Sequence, residues 1–224
     1  MQRNDRARLA TLISPLAASL MTLLALIGCR SSGPTAEELP QLTRDGALKE
    51  PRDWETWVMV GSSTGLSYAT AGAAPVAGAA PGMFHNVYMQ PWAYREFMRT
   101  HVFPEGTMFV LSFYEASQKS APAKAGFYEG DRVPGIEVHL KQKGIDKSGW
   151  GFFGFDDTVS LGTKLPPSAS CYSCHATEAA HDNVFTQFYP FVRERLAKTV
   201  ALKVRSPRSQ RLEESDQSRT VPLR

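Results

Sequence analysis

Cysteine is scarce in this chain: 224 residues contain three, at positions 29, 171 and 174. So few thiols exclude a disulfide-built scaffold, and a zinc module of four cysteines as well. Charge of one sign is also lacking. The formal net charge is +3, and three arginines and one aspartate of that sum lie before Cys29, which leaves the rest near neutral. No basic face strong enough for nucleic acid follows from such a balance. Internal repeats are absent, which excludes solenoids and propellers. Methionine is missing from the whole C-terminal half: the last of the seven is Met108.

What is present begins with a basic start, Arg3, Arg6 and Arg8, followed by the nearly uncharged run "LATLISPLAASLMTLLALIG" up to Cys29. Basic n-region, apolar h-region and small residues at the end have the shape of a secretory signal. Pro15, Ser14 and Ser19 interrupt the run, which argues against a transmembrane anchor. "LIGC" is similar to the bacterial lipoprotein signal, in which the cysteine is acylated and becomes the mature N-terminus. The expectation is a signal over residues 1–28 and a lipid on Cys29 that holds the protein, exported to the periplasm, at a membrane surface.

The mature part suits one domain with a core of its own. Residues 29–50 are polar and carry Pro and Gly, so they read as a tether. The domain is expected over 51–200. Asp53 is placed to cap a short helix that buries Trp54 and Trp57. Residues 64–82, rich in Ala, Gly and Pro, read as a loop. "FHNVYMQ" (84–90) alternates as a strand, and Pro91 is suited to start a helix over "PWAYREFMRT". "GTMFVLSFYEA" (106–116), "GIEVHLKQ" (135–142) and "GWGFFGFDD" (149–157) read as further strands. In "GIEVHLKQ", Ile136, Val138 and Leu140 alternate against Glu137, His139 and Lys141. Val184, Phe185, Phe188, Phe191, Val192 and Leu196 recur at helical spacing, broken or restarted at Pro190. Residues 201–224 lack aromatics and mix charges, the signature of a disordered tail. The fold class is α+β, a mostly antiparallel sheet with flanking helices.

"CYSCH" (171–175) concentrates the chemistry. Cys-x-x-Cys-His is the attachment signature of c-type haem. Two thiols on one turn reach the two vinyl groups along one porphyrin edge, and the following imidazole meets the iron. A zinc site would need a second pair of soft ligands, and His181 alone does not supply it. A redox dithiol wants a βαβ context, whereas this pair follows the strands. One covalent haem c, held by Cys171 and Cys174 with His175 on the metal, is the reading that remains. No methionine follows His175 to take the sixth position. Met83, Met89, Met98 and Met108 suit core packing better, and His85, His101, His139 and His181 suit surface or supporting roles better than ligation. A five-coordinate iron open to a small molecule is therefore favoured. The strand-like runs rule out a four-helix cytochrome c′.

Together "NVYMQPWAYREFMRT", "FPEGTMFVLSFYEA", "GIEVHLKQ", "GWGFFGF" and "CYSCHATEAAHDNVFTQFYP" resemble the cytochrome P-460 family, including its cytochrome c′-beta branch. The resemblance runs from about Trp54 to Tyr189. It implies a mostly antiparallel β fold, one covalent c-type haem near the C-terminal helix, commonly a homodimer, and a periplasmic setting. Enzymes of that family oxidise hydroxylamine, bind nitric oxide and join a lysine to the porphyrin ring. The lysine's place, five positions beyond the glycine of the Gly-Thr that opens the strand, is occupied here by Leu111. Lys119 and Lys124 lie beyond the strand. The family's distal carboxylate, a proton acceptor, falls at Glu137. Alternation alone would instead turn Glu137 to solvent with His139 and Lys141, and both readings stand. Where the family often has glycine, His101 stands as a candidate helix C-cap.

Leu111, with Phe109 or Phe113 on the strand's other face, would line a dry pocket that favours neutral diatomics such as nitric oxide. The expected function is a monohaem cytochrome that binds such ligands and passes electrons to a redox partner the sequence does not name. Its rivals are a hydroxylamine or nitric oxide oxidoreductase using Glu137, a six-coordinate electron carrier, and a non-haem binding module.

Overall fold

The computed structural model describes residues 33–66, 82–118, 122 and 125–204. The signal segment, Cys29, most of the Ala/Gly/Pro-rich loop, Lys119, Lys124 and positions 205–224 lie outside them. Among the described residues no helix is long and apolar enough to cross a membrane.

Seven antiparallel strands form one sheet: β1 (Leu48–Lys49), β2 (Val58–Thr64), β3 (Phe84–Met89), β4 (Met108–Ser117), β5 (Tyr128–Lys141), β6 (Trp150–Phe155) and β7 (Leu161–Lys164). Their spatial order is β1-β7-β6-β5-β4-β3-β2, so from β2 to β7 each strand pairs with its successor, and β1 closes the far edge. Among the described residues three helices complete the α+β fold: α1 (Pro91–Thr100), α2 (Ser170–Glu178) and α3 (Pro190–Val204), with single 3₁₀ turns at Trp54–Thr56 and Thr186–Phe188.

Both faces of the sheet are covered, which explains the nearly continuous apolar run of β6. One face carries Met108, Val110, Ile136, Val138, Leu140, Phe153 and Phe155, packed against Leu48 and Trp54. The other carries Met89, Phe109 and Trp150 and packs against Trp92 and Phe97 of α1 and Val192 of α3. Further along this second face the sheet and α2 enclose a cavity.

Several local expectations meet a different outcome. The 29–50 tether does not extend to the sheet: Leu48 is completely buried, and Lys49 and Leu48 pair with Leu161 and Gly162 of β7. One apolar residue in a polar run gives no periodic signal, although it closes a core. Asp53 makes no side-chain cap; it lies in the left-handed region (φ 50°), and its carbonyl accepts from Thr56 N and Oγ1 at 2.9 and 2.7 Å. Trp54 is buried there, whereas Trp57 is only half-buried. Helix α3 starts at Pro190 and runs to Val204, past the domain end expected at 200, because no Gly or Pro stops it.

Other positions match their chemistry. Pro91 opens α1. Gln90 just before it is buried, and its side chain accepts from Met108 N (2.5 Å) and donates to the carbonyls of Glu38 and Gly106 (3.1 Å each), tying α1 to the start of β4. His101 ends α1 in the left-handed region (φ 65°) and donates its N–H to Phe97 O at 2.7 Å.

Candidate functional site

The cavity, about 400 Å³, lies between the sheet, α2 and the 185–189 segment. Its walls hold Leu111, Glu137, Cys171, Cys174 and His175 together, the five residues singled out by sequence for the pocket. The volume falls in the range of small-molecule and cofactor sites.

The sheet contributes three rungs of side chains. Phe109, His139 and Phe152 form the first rung by register, with Met89 beside Phe109 buried in the core; Val87, Leu111 and Glu137 form the second, and Ser63, His85 and Phe113 the third. Phe109, Leu111 and Phe113 thus stand on one face, as the two-residue strand period requires; the placing of the phenylalanines opposite Leu111 is corrected. Glu137 and His139 share this face as well. Their alternation was legible, but the two differ in surroundings: Glu137 is exposed where it borders the cavity, and His139 is buried. His139 is only 8% exposed, stacked on Phe152 with ring centroids 4.3 Å apart.

Helix α2 supplies the other wall. Cys171, Cys174 and His175 recur at i, i+3 and i+4 and so share one side. All three are half-buried, while the residues between and after them are mostly exposed. No disulfide joins the two cysteines. Burial, the nearby Glu137 and Cys174 raise the Cys171 pKa, which outweighs a backbone hydrogen bond. Cys171 and Glu137 both line the cavity. Glu137 stands on the cavity wall and is itself exposed there; partial desolvation by that wall raises its pKa, and no partner offsets the effect.

His175 is the most constrained group. Its ring meets His139, Phe152 and Phe185 edge-on, with centroids 4.7, 4.7 and 4.4 Å away. Nδ1 lies 2.7 Å from the carbonyl oxygen of Asn183. A carbonyl only accepts, so Nδ1 carries the proton and donates, and Nε2 keeps its lone pair. Burial lowers the His175 pKa and so favours the neutral ring, although the Asn183 bond pulls the other way. A neutral imidazole with one nitrogen fixed by a carbonyl and the other free is the form that binds a metal.

The turn that presents that carbonyl is itself braced. Asp182 and Asn183 are both left-handed (φ 46° and 57°), and His181 and Val184 form a bridge across them. Asp182 accepts from Lys141 Nζ at 2.5 Å and from Trp150 Nε1 at 3.2 Å. Sequence reasoning missed this brace because its working atom is a backbone carbonyl. The adjacent Asp-Asn, residue types that tolerate left-handed backbone, was the only hint.

Met89 and Met108 are buried in the two cores and Met98 packs against the first, as expected; Met83 is 43% exposed and not a core residue. None of the four lines the cavity. His85, expected at the surface or in support, does line it.

A haem fits this donor set. Two thiols and a pre-set imidazole stand on one wall, and aromatic and aliphatic side chains stand on the other. Leu111, at the family's lysine position, is on the wall, and among the described residues that line the cavity there is no lysine. No curated protein matches the chain significantly. A family model, that of cytochrome P460, matches residues 51–186, more than half of the chain and nearly all of the sheet together with the CYSCH helix. The chain therefore belongs to the cytochrome P460 family and is a haem protein.

Proposed function

We propose that the protein is a monohaem c-type cytochrome with a five-coordinate iron that binds small diatomic ligands such as nitric oxide and exchanges electrons with a redox partner. The single observation that carries the reading is the 2.7 Å bond from His175 Nδ1 to the Asn183 carbonyl, because it aims a neutral Nε2 for ligation. Cys171 and Cys174 attach the group as thioethers. Each S–H would add across a vinyl C=C, forming a C–S bond and placing the proton on the neighbouring carbon, with no oxidant consumed. A haem held there would supply a redox-active iron.

The chain's own residues do the rest. His139 and Phe152 pack against the His175 ring and hold its plane. Phe109, Leu111 and Phe113 keep the wall apolar, which favours neutral ligands over water and anions. That none of Met83, Met89, Met98 and Met108 lines the cavity supports the open position over a six-coordinate electron carrier.

Glu137 supports a second reading, a hydroxylamine or nitric oxide oxidoreductase of the P-460 type. Its raised pKa and its place on the wall suit a group that takes a proton from a bound substrate. Leucine at position 111 weighs against it, since it cannot make the ring bond. The "LIGC" signal supports a lipid on Cys29 and a periplasmic setting for either reading.

Mass spectrometry and one optical spectrum of the purified holoprotein test the proposal. One added macrocycle and a five-coordinate, high-spin ferrous spectrum are expected. A low-spin spectrum with sharp α and β bands would reduce the protein to an electron carrier. A strongly red-shifted Soret band with hydroxylamine turnover, lost in Glu137→Ala, would establish the oxidoreductase instead.

A further inference from the structure

His85 is a cavity residue that the proposed function leaves without a task. It stands on β3 beside Phe113 of β4, on the rung of the sheet furthest from His175. The imidazole meets the Phe113 ring edge-on, with centroids 5.0 Å apart at 83°, which limits its rotation. Neither ring nitrogen makes a hydrogen bond among the described residues, and burial lowers its pKa. It is thus a neutral imidazole, held by a phenyl ring, with one N–H to donate.

The rungs order the cavity. His175 contacts the first, at His139 and Phe152. Leu111 and Glu137 form the second. His85 and Phe113 come four residues beyond Met89 and Phe109 along their strands, which is about 13 Å at 3.3 Å per residue. A haem held by His175 would have the third rung on the side of the cavity away from that imidazole. On that rung Phe113 offers only bulk; the donors are the His85 imidazole and the short Ser63 hydroxyl paired with it on β2, and the longer His85 side chain reaches further into the cavity from its strand.

Resting on the haem reading above, we propose that His85 donates a hydrogen bond to the outer atom of the small molecule bound opposite His175. The pocket is then not uniformly dry. It selects ligands whose outer atom accepts a hydrogen bond, such as nitrogen oxides and cyanide, over ones that accept poorly. His85 is a ligand-contacting residue, distinct from Glu137 on the rung between.

Full-length holoprotein is compared as wild type, His85→Phe and His85→Gln, with the covalent haem verified by mass in each. Two probes are used: infrared spectroscopy of carbon monoxide on the ferrous iron, and cyanide binding to the ferric iron. A nearby N–H lowers the C–O stretching frequency, so His85→Phe is expected to raise it. The same change should weaken cyanide binding about fivefold to tenfold, the worth of one net hydrogen bond. His85→Gln, which keeps a donor, should move both readings back toward wild type. An identical stretch and affinity in all three proteins would overturn the proposal. So would a low-spin wild type that turns high-spin in His85→Phe, since His85 would then be a ligand of the iron itself. If the wild type carried no macrocycle, the haem reading beneath would fail, an outcome distinct from both.

Discussion

The turn that fixes His175 can be loosened without touching the histidine. Asp182→Ala removes the carboxylate that accepts from Lys141 Nζ and Trp150 Nε1. Trp150 is completely buried, so its N–H loses its partner, a cost of about 1–3 kcal/mol. The Lys141–Asp182 pair is shielded, with side chains 16% and 31% exposed, so its loss adds about 1 kcal/mol. Residue 182 is left-handed, and alanine is strained there by about another 1 kcal/mol relative to aspartate. The expected loss is about 3–5 kcal/mol. For a domain of this size each kcal/mol lowers Tm by roughly 2–4 °C, so a fall of about 10 °C is expected.

The measurement is thermal unfolding of the holoprotein by circular dichroism, with Asp182→Asn as the control. Asparagine keeps an acceptor for Trp150 and tolerates the left-handed backbone, so it should lose only about 1 kcal/mol. Resonance Raman spectra give a second readout that general destabilisation would not move. A looser Nδ1–H bond to Asn183 makes the imidazole a poorer donor and lowers the iron–histidine stretching frequency. If Asp182→Ala melted with wild type, or no lower than Asp182→Asn, the brace would not be what holds the turn.

Two further outcomes follow from the same geometry. Glu137 has a raised pKa in the folded protein, so the folded state binds its proton more tightly than the unfolded chain. That contribution to stability is present at low pH and is lost as pH climbs from the ordinary carboxylate range through the raised value. Glu137→Gln should therefore gain stability over wild type in urea titrations above this window and show no gain below it; a gain independent of pH would point to packing instead. Cys29→Ser should move the exported protein from the membrane fraction to the soluble one, and continued sedimentation with membranes would refute the lipid anchor.

The sequence displayed the sheet wherever a strand alternates under one apolar face. The runs at 84–90, 106–116, 135–142 and 149–157 all fall on strands. It hid the first half of β5, which begins at Tyr128, because Pro134 and Gly135 read as a break. Gly135 has φ 90°, and a Cβ there would lie 2.5 Å from the Phe155 carbonyl oxygen, so only glycine carries the strand through that bend. The two-residue β1 gave no period at all, and its membership in the sheet is decided by the burial of Leu48.

The site divides along a similar line. Cys171, Cys174 and His175 were legible because their chemistry depends on spacing within one helical turn. Glu137 and Leu111 were found by resemblance to a family, since no local pattern says which side of a doubly covered sheet faces a cavity. His85 and Asn183 escaped for opposite reasons. His85 is a recognisable residue whose place depends on the pairing of β3 with β4, a contact between segments far apart in the chain. Asn183 acts through its backbone, so the residue type hardly matters so long as it accepts a left-handed turn. A relative could therefore retain the five-residue attachment signature and still lose the brace or the donor. Differences in ligand choice among such proteins should then track the third rung of the sheet and the 181–184 turn, while the attachment residues stay the same.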